Sequence, residues 1–219
     1  MAKVCESTSR PLGQVFFERH IHEVARDLLG RDLVRTVEDV ELRGRIVEVE
    51  VYEGANDAAS HARKGEPTTR TRPMFATPAT LYVYRIYGIY HCLNLRAPSG
   101  PGPGAILVRA CRPLAGLGRM AMGRGFVDQA VEYEGQKDKS LMSGPGKLCQ
   151  AMEIGLELTE TVVGEEIELQ AGNPVWREDP ERVEATPRVG LNPATCKEAA
   201  NWKWRYIVGD SPWTSCRAR

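Results

Sequence analysis

The stretch between residues 50 and 109 concentrates side chains suited to a pocket that does chemistry. Glu50, Tyr52 and His61 come first, a tyrosine-rich segment follows, and Asn94 and Arg109 complete the stretch. These residues offer a carboxylate, an imidazole and a guanidinium for acid–base and charge interactions. They also offer aromatic rings on which a base can stack. The residue types alone therefore favour a binding pocket in this stretch.

Signatures of other common sites are absent from the sequence. Residues 144–147 resemble a phosphate-binding loop, but Leu148 stands where such a loop needs Ser or Thr. The pair His22 and Glu23 lacks the second histidine of a zinc protease, and no Gly-x-Ser-x-Gly turn occurs. We therefore expect no cofactor and no metal. Six cysteines lie far apart without a CxxC pair, which indicates reduced thiols mostly in the core: Cys5, Cys92, Cys111, Cys149, Cys196 and Cys216.

The 219 residues carry 29 basic and 29 acidic side chains, but these charges are segregated along the chain. Residues 60–125 hold ten basic residues and one acid, a balance of +9, and residues 126–187 have a balance of −9. A solvated face is the ordinary explanation for such a run. Here the basic residues alternate with tyrosines, which is the composition of a nucleic-acid surface. The basic residues are Arg63, Lys64, Arg70, Arg72, Arg85, Arg96, Arg109, Arg112, Arg119 and Arg124.

Hydrophobic periodicity predicts the elements that position these residues. Neighbouring strand-like runs, rather than strands alternating with helices, indicate an α+β domain with a mainly antiparallel sheet. Tyr87 and Gly88 lie between two aromatic, β-branched runs and predict a hairpin turn. Helices are predicted at 17–29, ending at Gly30, and at 114–122 and 147–152. Strands are predicted at 32–36, 42–52, 80–86, 90–96, 104–112, 167–170, 185–189 and 205–208, with a loop at 97–104.

Strict alternation along the strand at 42–52 places Glu48 and Glu50 on the same face as Ile46. The opposite face would then carry Val47, Val49 and Val51. A strand-end acid also has a structural explanation, because Arg43 or Arg45 on the same strand could pair with Glu50. The residues by themselves leave both interpretations open.

Several ordered segments of the chain resemble the alkyladenine (3-methyladenine) DNA glycosylase family. The resemblance extends from about Leu12 to Ser215, and motifs of this length in this order are specific. The segments are LRGRIVEVEVY at 42–52, DAASH at 57–61, MFATPATLYVY at 74–84, IYGIY at 86–90, SGPGKLC at 143–149 and GDSPW at 209–213.

The resemblance implies a single mixed domain with a curved, mainly antiparallel sheet and a protruding DNA-intercalating β-hairpin. We expect an N-terminal extension at 1–11, the catalytic domain at 12–215 and a C-terminal tail at 216–219. The implied activity flips an alkylated or deaminated purine out of duplex DNA and hydrolyses its N-glycosidic bond. The implied lesions are 3-methyladenine, 7-methylguanine, hypoxanthine and ethenoadenine.

The resemblance also implies roles for individual residues. Glu50 would match the general base that activates water, and Arg109 the arginine beside the base and that water. Tyr87 would match the side chain that intercalates into the gap left by the flipped nucleotide. The residues that would match the base pocket are Tyr52 and His61 on one face, Tyr84 on the other, and Asn94, which disfavours the exocyclic amino group of guanine.

Two departures and two rival functions accompany the resemblance. The family often has Pro-Gly-Thr where this chain has Ala79 between proline and threonine, and the loop 97–104 is rich in proline. Lys64 and Lys147 are either phosphate contacts or surface charges. A non-catalytic reader of damaged nucleic acid would not need Glu50, and a hydrolase of free nucleosides would not need ten basic residues.

We expect a monofunctional enzyme without lyase activity, because no lysine stands out as an amine nucleophile. Its partner would be double-stranded DNA containing damaged purines, with no membrane, and the protein would act as a monomer. No signal peptide or apolar run of membrane-spanning length occurs in the sequence. The expected location is intracellular: the nucleus in a eukaryote, or the cytoplasm and nucleoid in a prokaryote.

Overall fold

The computed structural model describes residues 11–126, 139–170 and 174–216. Most of the expected N-terminal extension, including Cys5, and the last three residues of the expected tail lie outside these ranges. No helix within them is both long and apolar enough to cross a membrane. Helices are α1 (Ile21–Leu28), α2 (Leu117–Gly123), α3 (Pro145–Ala151), α4 (Val175–Glu178) and α5 (Pro193–Cys196). Strands are β1 (Asp32–Val37), β2 (Val40–Tyr52), β3 (Leu81–Ile86), β4 (Tyr90–Arg96), β5 (Ala105–Ala115), β6 (Glu168–Gln170), β7 (Val183–Thr186) and β8 (Arg205–Val208).

These eight strands form one open sheet, and each of their pairings is antiparallel. The main order is β3-β4-β5-β2-β1-β6; β8 also pairs with β2, and β7 pairs with β8. The predicted α+β class with a mainly antiparallel sheet is therefore confirmed. The long strand β2 lies at the centre of this arrangement, so its side chains meet those of β5 and β8.

The pairing of β2 with β5 is irregular at three places: between Arg43 and Gly44, and at two bulges on either side of Glu48. Between the pairs Ile46↔Cys111 and Glu48↔Ala110, β2 contains one additional residue, Val47. In the next step, from Glu48↔Ala110 to Val49↔Val108, β5 contains the additional residue, which is Arg109. A bulge bends its strand and redirects the side chains around it.

The first bulge changes which side chains share a face of β2. Ile46 packs into the same hydrophobic core as Val47, Val49 and Val51, so the expectation that Ile46 lies on the side of the two acids is wrong. Strict alternation fails here because the extra residue shifts the side-chain phase by one. The two acids thereby lie away from the core, on the side where Arg109 meets them.

The first helix shows why local patterns predict some boundaries better than others. Gly30 has φ +88°, as expected for a glycine that ends a helix. The helix begins later than predicted because Gln14–Glu18 forms a separate 3-10 turn and His20 caps the N-terminus of α1. Four apolar side chains of α1 are fully buried in the core: Ile21, Val24, Ala25 and Leu28.

Other predicted elements are confirmed with shifted ends. The strand predicted at 104–112 continues to Ala115, so the following helix starts at Leu117 after Gly116, whose φ is +74°. The strand predicted at 185–189 is β7 and ends at Thr186. This leaves residues 188–191 as a loop. Cys92, Cys111, Cys149 and Cys196 are buried free thiols, and Cys216 is an exposed one.

The predicted hairpin consists of β3 and β4, joined by residues 87–89. Ile86 pairs with Tyr90, and Tyr87 and Gly88 have φ of 52° and 74°. Two consecutive positive φ values are the signature of the hairpin turns that match strand twist. The tyrosine at the turn is 84% exposed, so the hairpin presents an aromatic ring to the outside.

Candidate functional site

A cavity of ≈ 470 Å³ lies where β2, β3, β4 and β5 meet the loop at 189–191. Six of the seven residues singled out in the sequence line it, although they come from four strands and two loops. The side chains that line it include Tyr52, His61, Tyr84, Tyr87, Asn94 and Arg109. The seventh, Glu50, lies just behind the wall.

The Glu50 side chain is completely buried, and each of its oxygens is hydrogen-bonded. Its Oε2 accepts from the Tyr52 hydroxyl at 2.8 Å and from Arg109 Nη1 at 3.3 Å. Its Oε1 accepts from the Val189 backbone N–H at 2.6 Å. All three donor residues line the cavity. The carboxylate is therefore one contact away from whatever occupies the cavity.

The alternative explanation of Glu50, an ion pair with a neighbouring arginine on β2, does not apply. Arg43 and Arg45 bind Asp32 of β1 instead, at 3.3 Å and 2.8 Å. Arg109 of β5 is the arginine that reaches Glu50. Arg109 is the additional residue of the bulge in β5, and a bulge redirects the side chains around it.

Arg109 is buried between two carboxylates. Its Nε donates to Glu48 at 3.0 Å, and its Nη1 donates to Glu50. Burial lowers the pKa of Arg109, but the negative charges of Glu50 and Glu48 outweigh this effect and raise the pKa above its ordinary value. A permanent positive charge is thus held at the edge of the cavity.

Aromatic rings form the opposite wall of the cavity. The rings of Tyr82 and Tyr84 are 5.3 Å apart, and His61 meets Tyr84 edge-on at 4.7 Å. Burial of the Tyr84 hydroxyl is the largest of the effects that raise its pKa above the ordinary value, and the same holds for Tyr52. Both phenols are therefore neutral donors at physiological pH.

The protonation of His61 follows from its neighbours. Arg70 Nη2 donates to His61 Nε2 at 3.4 Å, and an arginine can only donate. The proton therefore sits on Nδ1, which donates to the Tyr82 hydroxyl at 2.9 Å. Burial, followed by the charges of Arg70 and Arg63, lowers the pKa of His61 from 6.5 to about 4. The ring is a neutral part of the wall.

Asn94 lies in the floor of the cavity with a defined orientation. Its Nδ2 donates to the carbonyl oxygens of Tyr82 at 2.9 Å and Cys92 at 3.3 Å. Both amide hydrogens are engaged with these acceptors. The side chain is almost fully buried and belongs to the cavity lining.

Sequence reasoning missed a buried platform behind Tyr52. Arg188 and Asp57 form an ion pair at 2.6 Å with both side chains fully buried. The Arg188 guanidinium lies 4.7 Å from the centre of the Tyr52 ring and 5.2 Å from that of Trp204. This stack supports the tyrosine from behind, and the backbone that follows Arg188 brings the Val189 N–H to Glu50. No local pattern signals a contact between residues 131 positions apart.

A second missed group surrounds Glu48. The sequence marked this residue only as the neighbour of Glu50, yet it accepts hydrogen bonds from Arg109, Arg205 and Ser215. Ser215 lies 167 positions along the chain from Glu48. The segment GDSPW, quoted above for the resemblance, ends two residues before it, which was the available signal.

The hairpin tip reaches the same cavity from outside. Tyr87 lines the cavity rim yet is mostly exposed, and Ile89 beside it is also exposed. Tyr90 packs its ring against the backbone of Gly146, at the start of α3, where an added Cβ would come within 3.0 Å. This contact anchors the base of the tip and leaves its apex free.

Several cations of the stretch at 60–125 are exposed, while metal-binding groups are lacking in the described part of the chain. Arg63, Lys64, Arg70, Arg85 and Arg112 are exposed. Within the described ranges, no group of three His, Cys, Asp or Glu side chains could hold a metal ion.

Comparison with known proteins places most of the chain in one family. Residues 15–212 match the family model described as methylpurine-DNA glycosylase. A protein of Clostridium perfringens (strain SM101 / Type A) is 40% identical over 206 residues, 93% of this chain and 98% of that protein. DNA-3-methyladenine glycosylase of Mus musculus is 42% identical over 217 residues, 96% of this chain and 62% of the mouse protein. The Homo sapiens protein of the same name is 42% identical over 208 residues, 93% of this chain and 67% of its own length.

Proposed function

The chain belongs to the methylpurine-DNA glycosylase family, and from this premise we propose that it is a base-excision-repair DNA glycosylase. It flips a damaged purine out of duplex DNA and hydrolyses the N-glycosidic bond with a water molecule activated by Glu50. Its substrates are 3-methyladenine, 7-methylguanine, hypoxanthine and ethenoadenine in double-stranded DNA. It acts as a monomer, with residues 12–215 as the catalytic domain.

One observation supports this proposal most strongly: the hairpin tip and the Glu50–Arg109 pair flank the same cavity. A flipped base needs a pocket, and the gap that it leaves in the duplex needs a filler. The cavity supplies the first, and the exposed ring of Tyr87 supplies the second. The hairpin of β3 and β4 carries Tyr87 at its turn and also forms part of the cavity wall.

The chemistry of the reaction explains the carboxylate. Loss of the base from the sugar C1′ builds positive charge on the sugar, as in glycoside hydrolysis. Glu50 stabilises that charge and takes the proton of the attacking water as the C1′–N bond breaks and its electron pair leaves with the base. Arg109 and the Val189 N–H orient the carboxylate, so it does not have to reorganise during the reaction.

The aromatic walls explain the range of bases. Tyr52 and Tyr84 can attract a cationic alkylated purine by about 0.5 to 2 kcal/mol per ring. Each ring already has a guanidinium close by, Arg188 at 4.7 Å and Arg70 at 5.3 Å from the ring centres. These two arginines already interact with the rings, which weakens the attraction that the rings offer to a cationic base. The pocket therefore also suits neutral bases such as hypoxanthine and ethenoadenine. Asn94 disfavours a base whose exocyclic amino group would meet its side chain, as the amino group of guanine would.

The cavity lining is consistent with simple hydrolysis. Strand cleavage by a glycosylase uses an amine that forms a Schiff base with the sugar. No lysine is among the described residues that line the cavity. This lining supports the proposal of a monofunctional enzyme that leaves an abasic site without cutting the strand.

The proposal is tested with duplex oligonucleotides that each contain one lesion. The protein is added in excess, the products are treated with alkali, and strand breaks report base release. We expect release from at least hypoxanthine or ethenoadenine DNA, and no breaks when alkali is omitted. The change Glu50→Gln removes the proton acceptor but keeps the shape, and we expect its rate to fall at least about a hundredfold.

A matched control and the rival function complete this test. Glu41→Gln changes an exposed glutamate of the same strand and should keep the parental rate. Tight binding of lesion DNA without base release from any lesion, 3-methyladenine included, would reject the enzyme and favour a non-catalytic reader. Breaks without alkali would reject the monofunctional mechanism.

A further inference from the structure

Glu48 is a fully buried carboxylate that the proposed reaction does not use. It lies two residues before Glu50 on β2 and accepts from Arg109 Nε at 3.0 Å and from Arg205 Nε at 2.7 Å. The backbone N–H of Ser215 donates to its other oxygen at 2.5 Å. Leaving a buried charge unpaired is costly, so Glu48 and its two arginines form a unit that stays together in the folded protein.

The hydroxyl of Ser215 links this unit to the catalytic pair. Its Oγ donates to Glu48 Oε1 at 2.8 Å and accepts from Arg109 Nη2 at 3.2 Å. A serine hydroxyl can donate once and also accept, so both bonds can exist together. Arg205 Nη2 donates to the Cys216 carbonyl at 2.6 Å, which ties the end of the described chain to the same unit.

Each nitrogen of the Arg109 guanidinium therefore has a different anchor. Nε is bound by Glu48, Nη1 by Glu50 and Nη2 by Ser215. A planar group held at three points has a fixed plane, whereas a group held at two points can pivot about the line that joins them. Without the Ser215 contact, Nε and Nη1 would be the two remaining anchors, so the guanidinium plane could tilt about the line between them and its N–H bond would no longer point squarely at Glu50.

We propose that Ser215, together with Glu48, is a positioning residue that fixes the plane of Arg109 and thereby orients the Glu50 carboxylate for the reaction. Ser215 does not line the cavity that would hold the base, so it acts through Arg109 and not by touching substrate. The segment after β8 is thus part of the catalytic apparatus. This inference rests on the proposed function.

The test compares the chemical step with DNA binding in single-turnover experiments on hypoxanthine DNA. For Ser215→Ala, the maximal rate of base release should fall about tenfold, the effect expected for a lost hydrogen bond to a charged group. The Kd for the same DNA should stay within about twofold, because the cavity and the hairpin are unchanged. Ser215→Thr keeps a hydroxyl and should restore most of the rate.

Ser211→Ala is the matched control, since Ser211 lies in the same segment and its hydroxyl accepts a hydrogen bond from the backbone N–H of Trp213. It should keep the parental rate. A Ser215→Ala rate within about twofold of the parent, or a Kd that weakens in step with the rate, would overturn the inference. The inference would also be overturned if Ser215→Thr melted at the same temperature as the parent but did not recover the rate. If the parent protein released no base, the proposed function would be rejected. If the parent and Ser215→Ala released base at the same rate, only the inference about Ser215 would be rejected.

Discussion

At the scale of single residues, two identical carboxylates on one strand have different surroundings. Glu48 is enclosed by two arginines and Ser215, whereas Glu50 is bound by three residues that all line the cavity. The difference arises from position along β2, because Glu50 lies at the end that faces the loop at 189–191. Glu50, which contacts the cavity lining, is therefore the carboxylate that the proposed reaction uses.

His61 shows the same dependence on surroundings, because burial and two nearby arginines lower its pKa from 6.5 to about 4. Between these two pH values the unfolded chain binds a proton at this position and the folded protein does not. The free energy of unfolding should therefore fall as the pH drops from about 6.5 to about 4. Thermal melting across this range should show a smaller decrease for His61→Gln than for the parent.

Identical pH dependence of melting in the parent and in His61→Gln would show that His61 titrates normally.

At the scale of elements, the hairpin that carries Tyr87 starts from a strained residue. Ala79 is buried with φ +73°, and its backbone is fixed by hydrogen bonds from its N–H to the Arg96 carbonyl and from the Val163 N–H to its own carbonyl. The left-handed region costs a non-glycine residue about 1 to 2 kcal/mol. The departure from glycine noted in the sequence therefore affects stability at the base of the hairpin.

Ala79→Gly should stabilise the fold. Relief of the strain exceeds the entropy cost of glycine, about 0.5 to 1 kcal/mol, so a net gain of roughly 0.5 to 1 kcal/mol is expected. For a domain of this size that is a rise in Tm of about 1 to 4 °C, measurable by calorimetry.

The reverse change tests the same principle elsewhere. Gly116 has φ +74°, and an added Cβ would lie 2.4 Å from the Glu41 carbonyl oxygen, so Gly116→Ala should lower Tm. A lower Tm for Ala79→Gly would contradict the strain argument.

At the scale of the whole molecule, charge counted along the sequence overstates the DNA-binding surface. Arg72, Arg109 and Arg119 of the +9 stretch form ion pairs with glutamates, and Arg96 is buried. Glu153 and Glu160 of the acidic stretch supply two of these pairs, so the two stretches do not form separate faces at those points. The remaining exposed cations of the basic stretch are the candidates for phosphate contacts: Arg63, Lys64, Arg70, Arg85 and Arg112.

Binding of lesion DNA should weaken with salt in proportion to these contacts. At about −0.9 per neutralised phosphate, the slope of log K against log salt concentration should lie at about −3 to −5. Fluorescence anisotropy with Glu50→Gln measures binding without base release. Lys64→Ala should reduce the slope by about one, whereas Arg119→Gln, already paired with Glu153, should not change it. A slope near zero would rule out phosphate contacts as the basis of affinity.

The sequence by itself determined the local elements and the set of residues at the site. Periodicity and glycine placement predict helix α1 and the glycine that ends it, the β3–β4 hairpin with Tyr87 at its turn, and most strands. These patterns act over a few residues, so the sequence alone contains them. The resemblance to the glycosylase family pointed to the residues that line the cavity. Their roles in the reaction remain predictions.

Only the tertiary structure decided how the carboxylates are presented. The bulges at Val47 and Arg109 depend on how β2 pairs with β5, and they direct Glu48 and Glu50 away from the core. The support of Glu48 by Ser215 and of Tyr52 by Arg188 likewise depends on strand pairing and loop closure. These contacts join residues that are far apart in the chain, and since no local pattern records such a contact, the fold alone brings them together.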